Sequence, residues 1–268
     1  MNLDSALTAE LIERITDRVL AEMGEPDDGG SRWLTDPLND TCFRCRRSHP
    51  RELLLEAPDR VGMLPLHPPA GRQGTAESPP LDAVARSIAG IIDHTLLKPD
   101  ATPRDIEDLC HEAVRYRFKS VCVNPMHVRL ASQVVGSSGV LVCAVVGFPL
   151  GATLTDVKAY EARRALEEGA SELDMVLPVG MLIAGRHSYV AHDILEVVRA
   201  AESGTVVKVI LETCLLDEEQ KVTACRLARE AGASFVKTST GFSTGGATPE
   251  DVRLMRREVG GDMGVKAS

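Results

Sequence analysis

The sequence predicts a (β/α)₈ TIM barrel, and three observations lead there. From about residue 82 onward, seven short apolar segments alternate with helical ones, the pattern of a parallel sheet built from β-α-β crossovers. No Gly-x-Gly-x-x-Gly turn follows the first strand, which argues against a doubly wound dinucleotide-binding sheet. Asp174, Lys237 and Lys266 fall on the fourth, sixth and seventh strands. A barrel brings such residues together at one end of its axis, whereas a flat sheet spreads them apart.

The elements follow in order. Strands are expected over 90–97, 120–124, 140–148, 172–179, 206–213, 235–240 and 264–268, each rich in Val, Ile and Leu. Helical patterns separate them, for example at 103–116, 155–168, 217–231 and 249–258. Thr102-Pro103 and Thr248-Pro249 each pair an N-cap Thr with Pro at the first helical position. Asp105 and Asp251 then stand where a capping box has Glu or Gln, so each box is expected to be approximate. Gly169-Ala170 and Gly232-Ala233 are the expected helix stops before strands. The pattern supplies only seven strands over 85–268, short of the ~200 residues of a full barrel. The expectation is therefore a barrel domain at 82–268 that is C-terminally incomplete, truncated within strand seven.

Ahead of it, residues 1–23 repeat Leu3, Leu7, Leu11, Ile15 and Val19 at every fourth position, widened by Ile12, Leu20 and Met23. That is an amphipathic helix, stopped at Gly24-Glu25-Pro26. Residues 24–81 have no sustained period and carry Pro/Gly clusters, the composition of a linker.

Composition sets the outer limits. Of 268 residues 44% are hydrophobic, enough for a real core, and only 3% are aromatic, which suits an aliphatic α/β interior. A formal charge of -9 argues against a nucleic-acid carrier. No stretch approaches the ~20 apolar residues that span a bilayer, and the acidic N-terminus is not a secretory signal. Seven cysteines, an odd number with most in or beside core segments, indicate free thiols and a reducing cytoplasm.

Lys237 is the most informative residue. It ends an apolar run, Phe235-Val236-Lys237, that breaks into Thr238-Ser239-Thr240-Gly241. Burying an unpaired ammonium costs several kcal/mol, and the usual escape is loss of the proton. A neutral lysine amine is a nucleophile toward carbonyls, so Schiff-base chemistry is one reading. A strand-end lysine that reaches to water is the other. Asp174 and Lys266 lie in the middle of similar apolar runs, and three convergent strands bearing Asp, Lys and Lys resemble a tuned electrostatic site more than separate ion pairs.

These segments carry a resemblance. Ile92-Asp93-His94-Thr95-Leu96, Val121-Cys122-Val123-Asn124-Pro125, Val146-Gly147-Phe148-Pro149, Glu172-Leu173-Asp174-Met175-Val176, Lys208-Val209-Ile210-Leu211-Glu212-Thr213, Phe235-Val236-Lys237-Thr238-Ser239-Thr240-Gly241-Phe242 and Val265-Lys266-Ala267-Ser268 resemble the deoxyribose-phosphate aldolases, in order and at natural spacing from about residue 85 to the end. The resemblance implies a class I aldolase on a (β/α)₈ barrel, without metal or other cofactor, that cleaves 2-deoxyribose 5-phosphate reversibly to acetaldehyde and glyceraldehyde 3-phosphate. Its partners would be phosphorylated sugar and aldehyde substrates. It implies Lys237 as the Schiff-base lysine, Lys266 as the cation that lowers the Lys237 amine pKa, and Asp174 as the proton relay. Asp93, Thr95 and Cys122 occupy substrate-pocket positions, although Cys122 also reads as a small buried hydrophobe. Lys208 reads either as a further charge in the barrel or as a structural pair with Glu212. Gly241 and the loop 242–246 offer backbone N–H groups to a phosphate. The family's other phosphate contacts lie beyond Ser268, so this chain is expected to lack half of that site and to be inactive in this form, unlike the longer natural protein. Rival readings are a Schiff-base aldolase of different sugar specificity and a catalytically silent barrel acting as cargo or scaffold.

The helix at 1–23 with its linker resembles an encapsulation peptide of bacterial microcompartments, with shell proteins as partners. An enzyme releasing volatile acetaldehyde suits such a compartment. The alternative is a helix packed on its own barrel or on a second subunit of a homo-oligomer. Cys42-x-x-Cys45-x-x-x-His49 has metal-like spacing but three ligands, where structural zinc takes four, so His67, a distant residue or another chain would have to supply the fourth. Arg44, Arg46 and Arg47 nearby also permit a redox role for the thiols.

Overall fold

The structure, a computed structural model, describes residues 88–201 and 204–268. The helix expected at 1–23, the whole linker at 24–81 and the zinc candidates Cys42, Cys45 and His49 lie outside the described residues.

Seven strands form one sheet in sequence order: β1 (Asp93–Leu96), β2 (Ser120–Val123), β3 (Leu141–Val146), β4 (Glu172–Val176), β5 (Val206–Ile210), β6 (Phe235–Lys237) and β7 (Gly264–Lys266). Every neighbouring pair is parallel. The crossovers carry helices α1 (Pro103–Tyr116), α2 (Val128–Val135), α3 (Thr155–Glu167), α4 (Val179–Ile183), α5 (His187–Ala200), α6 (Glu218–Glu230) and α7 (Pro249–Val259). The sheet curls: the Lys266 Nζ on β7 donates to the Ile91 carbonyl at 3.0 Å and meets Asp93 of β1 at 2.8 Å. This is the TIM-barrel-like fold expected from the sequence.

Strand alternation separates two environments. Val121, Val123, Val142, Ala144, Val146, Leu173, Met175, Val207, Val209 and Val236 face the helices in one large core. Each buried Val, Leu or Met there contributes about 2 kcal/mol. Residues of the opposite parity face the axis, where Cys122, Cys143, Val145 and Leu97 form a second, smaller cluster beside Asp174, Lys208 and Lys237. Most strands end earlier than the sequence suggests. After Val176 and Ile210 the chain leaves the ladder for α4 and for a 3₁₀ turn at Thr213–Leu215, and after Lys237 it enters the irregular stretch that borders the site.

Local chemistry sets the helix ends. The Thr102 box closes in full, contrary to expectation: Asp105 Oδ2 accepts from the Thr102 N–H at 2.8 Å while Thr102 Oγ1 accepts from the Asp105 N–H. At Thr248 only the hydroxyl contact to the Asp251 N–H forms, and Asp251 instead takes Lys221 Nζ at 2.7 Å. The two Gly-Ala stops are Schellman caps, with Ala170 N bonded to Ala165 O and Ala233 N to Ala228 O. Gly151, at φ 66, lies so close to β4 that a Cβ there would stand 2.1 Å from the Leu177 carbonyl oxygen, so no side chain fits. Among the described residues, no helix is long and apolar enough to cross a membrane. Five described cysteines are free thiols, four of them buried and Cys214 exposed.

One buried ion pair was not legible as such. Lys158 on α3 and Asp193 on α5 are both fully buried, 2.7 Å apart, and Lys158 also donates to the Val176 carbonyl at the end of β4. Thr155 Oγ1 holds the other Asp193 oxygen at 2.8 Å. Burial lowers the Lys158 amine pKa and raises that of Asp193, so each charge survives only through its partner. Lys158→Met is expected to cost about 3–5 kcal/mol, because it strands a buried carboxylate, whereas the double replacement Lys158→Met with Asp193→Leu should recover much of that loss. Urea titration of the three chains checks it.

Candidate active site

The site is built by parity and register. Asp174 and Glu172 are two residues apart on β4, so both point to the axis, and Lys208 on β5 is the direct register partner of Asp174. On β6, Lys237 pairs in register with Ile210 on one side and Lys266 on the other. Asp93 and Thr95 lie on the same face of β1, with Cys122 opposite Thr95 and Cys143 opposite Cys122.

Asp174 is the centre. It is fully buried, and its two oxygens are divided between two ammonium groups: Lys237 Nζ donates to Oδ2 at 2.7 Å and Lys208 Nζ to Oδ1 at 2.8 Å. Cys143 Sγ adds a contact to Oδ1 at 3.2 Å. Lys208 also meets Glu172 at 2.6 Å and Asp93 at 3.8 Å, and Ser120 Oγ donates to Asp93 Oδ1 at 2.8 Å. Three lysines (208, 237, 266) thus face three carboxylates (93, 172, 174), so the cage is formally neutral, the condition under which so much charge tolerates burial.

The electrostatics follow from these contacts. Burial pushes the Asp174 carboxyl up, but Lys208 and Lys237 together outweigh it and hold its pKa down at about 2. Burial works against the Lys208 ammonium, and Cys143 when ionised, Asp174, Glu172 and Asp93 more than reverse it, leaving the group far above its ordinary value. The Cys143 thiol is itself pushed well up, by burial first and then by Cys122 and Asp174, so at neutral pH the three carboxylates hold Lys208. Lys237 is also raised, the pull of Asp174 exceeding the effect of burial. Because the Asp174 carboxyl falls from 3.8 unfolded to about 2 folded, its stabilisation is complete above about pH 4 and disappears as pH drops toward 2. Acid titration followed by circular dichroism should show that loss, and Asp174→Asn should remove this component.

The arrangement departs from the sequence reading in two places. Lys266 was expected to lower the Lys237 amine pKa. Its ammonium turns instead to Asp93 and the Ile91 carbonyl, and the charge in contact with Lys237 is the Asp174 carboxylate, which raises it. Lys208, and not Lys266, is the second ammonium on Asp174. Of the two readings of Lys208, the barrel charge is what the structure shows. Its pairing with Glu212 is not formed, because the chain turns away at Glu212 and that carboxylate accepts from Thr240.

The remaining candidates sit around this centre. Thr95 is exposed and its hydroxyl donates to the Asp93 carbonyl at 2.8 Å. Cys122 is fully buried in the small axial cluster with Cys143. Gly241 adopts φ 82, a left-handed conformation that lets the chain turn sharply after Thr240. The Phe242 N–H, expected to be offered to an anion, is taken by Thr240 Oγ1 at 3.1 Å. Cys122, Cys143 and Asp174 place ligand atoms within 4.8 Å of one another, but both Asp174 oxygens are held by ammonium groups, which fits a metal cation poorly.

Residues missed from sequence had usable signals. Glu172 shares the parity of Asp174. Lys158 stands four residues before Ala162 and seven before Ala165, on the buried stripe of its helix.

Comparison with known proteins agrees with this geometry. A family model described as DeoC/LacD family aldolase matches residues 88–267. A deoxyribose-phosphate aldolase of Clostridium perfringens is 58% identical over 183 residues, 68% of this chain and 82% of that one. One from Thermococcus gammatolerans is 60% identical over 188 residues, covering 69% and 84%. Among solved structures, the tetrameric deoxyribose phosphate aldolase of Aeropyrum pernix superposes with a TM-score of 0.63 at 38% identity, over 69% of this chain and 78% of that one. A buried lysine set on a shared carboxylate, on a curled parallel sheet that matches these enzymes along its length, places the chain in the DeoC/LacD family of aldolases.

Proposed function

We propose that this chain is a deoxyribose-phosphate aldolase, a class I lyase that cleaves 2-deoxy-D-ribose 5-phosphate reversibly to acetaldehyde and D-glyceraldehyde 3-phosphate, with Lys237 as the Schiff-base nucleophile. The observation that carries the assignment of Lys237 is its hydrogen bond to Asp174, a fully buried carboxylate that Lys208 holds from the other side. Lys237 reacts once its ammonium proton has gone to solvent, and Asp174, which Lys208 keeps ionised, holds the neutral amine through the same 2.7 Å contact. The amine then adds to the C1 aldehyde, forming the N–C bond. Asp174 relays a proton from the carbinolamine nitrogen to its oxygen, solvent returns the proton first lost, and water leaves to give the iminium. The iminium is the electron sink. The C2–C3 bond breaks, its electron pair moves into the C1–C2 bond to form the enamine, and the C3 hydroxyl passes its proton to Asp174, which returns it to C2 once glyceraldehyde 3-phosphate has departed. Protonation at C2 and hydrolysis release acetaldehyde and restore Lys237.

Lys208 keeps Asp174 ionised at rest. Lys266, 20% exposed, holds the buried carboxylate of Asp93. Thr95 and Gly241, both exposed, are assigned to the substrate path, Asp93 and Cys122 to the buried wall behind it, and the loop after β6 to the phosphate side. Coupled detection of acetaldehyde from 2-deoxyribose 5-phosphate tests the reading. Cleavage of other sugar phosphates in preference to this one would point to a relative of different specificity.

For the rest of the chain, the proposed division is a helix at 1–23, a linker at 24–81 and the aldolase domain at 82–268. The stripe of Leu3, Leu7, Leu11, Ile15 and Val19 and a volatile aldehyde product support an encapsulation role for the helix. A pull-down with shell proteins that is unchanged by deleting residues 1–23 would sink it. Leu150, Leu154 and Tyr160, each more than half exposed, support self-association, and a monomeric mass by light scattering would contradict that.

A further inference from the structure

We infer that Glu212 is a positioning residue for the phosphate-side half of the site, acting through Thr240; this rests on the aldolase reading above. Glu212 stands two residues beyond β5, at the start of the 3₁₀ turn, and is the one buried non-glycine among the described residues with a left-handed backbone, at φ 57 and ψ 60. That conformation carries a steric cost that glycine would avoid. The position nevertheless holds a glutamate, and its carboxylate has specific work: Oε1 accepts the Thr240 N–H at 3.3 Å and Oε2 accepts the Thr240 hydroxyl.

The contact is relayed onward. With its proton given to Glu212, Thr240 Oγ1 is free to accept the Phe242 N–H at 3.1 Å, which fixes the left-handed turn at Gly241 between them. The same turn after β5 grips the loop at two further points. Thr213 N donates to the Thr238 carbonyl at 3.0 Å, and Cys214 Sγ meets Ser243 Oγ at 3.4 Å. Thr238 itself follows Lys237 directly. One short turn therefore joins the reacting lysine to the glycine-rich loop, and Glu212 is its only charged grip on that loop. A negative side chain beside an anion site attracts no phosphate by itself. Its value lies in aiming the loop backbone and hydroxyls, so its effect should fall on the phosphorylated end of the substrate and spare the aldehyde end.

The test compares the full chain with Glu212→Gly, which removes the carboxylate and relieves the backbone, and Glu212→Gln, which keeps one acceptor. Three quantities are read: affinity for inorganic phosphate by calorimetry, kcat/KM for 2-deoxyribose 5-phosphate against unphosphorylated 2-deoxyribose, and borohydride trapping of acetaldehyde on Lys237. For Glu212→Gly, phosphate affinity and kcat/KM for the phosphorylated sugar should each fall about tenfold, chiefly through KM, the loss expected for one charge-assisted contact. The unphosphorylated sugar and the trapping should change less than about threefold, with Glu212→Gln in between. Equal losses on both sugars, or unchanged phosphate affinity in Glu212→Gly, would overturn the inference. If the unaltered chain cleaves neither sugar, the aldolase reading fails by itself, while phosphate affinity still reports on Glu212.

Discussion

Lys237→Met is expected to abolish cleavage of 2-deoxyribose 5-phosphate, by about 10⁴-fold or more, while leaving the protein folded. Methionine nearly matches the length and volume of the lysine stem but offers no amine, so no covalent intermediate forms. The fold should survive because Asp174 keeps its second partner: Lys208 remains 2.8 Å from Oδ1, and only one of the three ammonium groups in the cage is lost. Steady-state assay together with a thermal melt separates the two effects. A melt shifted by only a few degrees alongside complete loss of turnover is the expected combination. Residual turnover above about 1% would mean that another amine carries the chemistry.

The second large effect is expected from Asp174→Asn, and its signature is a split between binding of carbonyl and turnover. Asp174 is the main influence raising the Lys237 amine pKa, so removing the charge lowers it. A larger fraction of Lys237 is then neutral at pH 7, and the alkaline rise in the rate of acetaldehyde trapping should move to lower pH. Turnover should nevertheless fall about 10²–10⁴-fold, because the amide cannot carry the proton between nitrogen and oxygen. Trapping that persists with kcat lost identifies Asp174 as the proton carrier. If trapping and turnover fall together, the carboxylate acts chiefly by holding Lys237 in place.

The fold was legible because parallel strands write their partition into the sequence. In Glu172-Leu173-Asp174-Met175 the charged and apolar residues alternate, and the structure sends the first pair to the axis and the second into the core against the helices. The same period placed Asp174 and Lys237 on one side of the sheet. Which ammonium meets which carboxylate was not legible, since that depends on register and on curl. Lys208 faces Asp174 because β4 and β5 pair at those two residues, and Lys266 reaches Asp93 because the curl carries β7 toward β1. Neither is a property of a single segment. Glu212 shows the same limit: a glutamate at a strand end reads as a partner for the lysine four residues back, until the left-handed turn redirects it to Thr240. Lys158 was hidden for a different reason, its partner Asp193 lying 35 residues away on another helix.

The most direct single measurement is borohydride reduction of the chain in acetaldehyde, followed by peptide mass spectrometry. A reduced two-carbon adduct on Lys237 alone is the expected result, since it is the lysine that ends its strand and is hydrogen-bonded to Asp174. An adduct on Lys208 or Lys266 with Lys237 unmodified, or no adduct on any of the three, would contradict the assignment of the nucleophile.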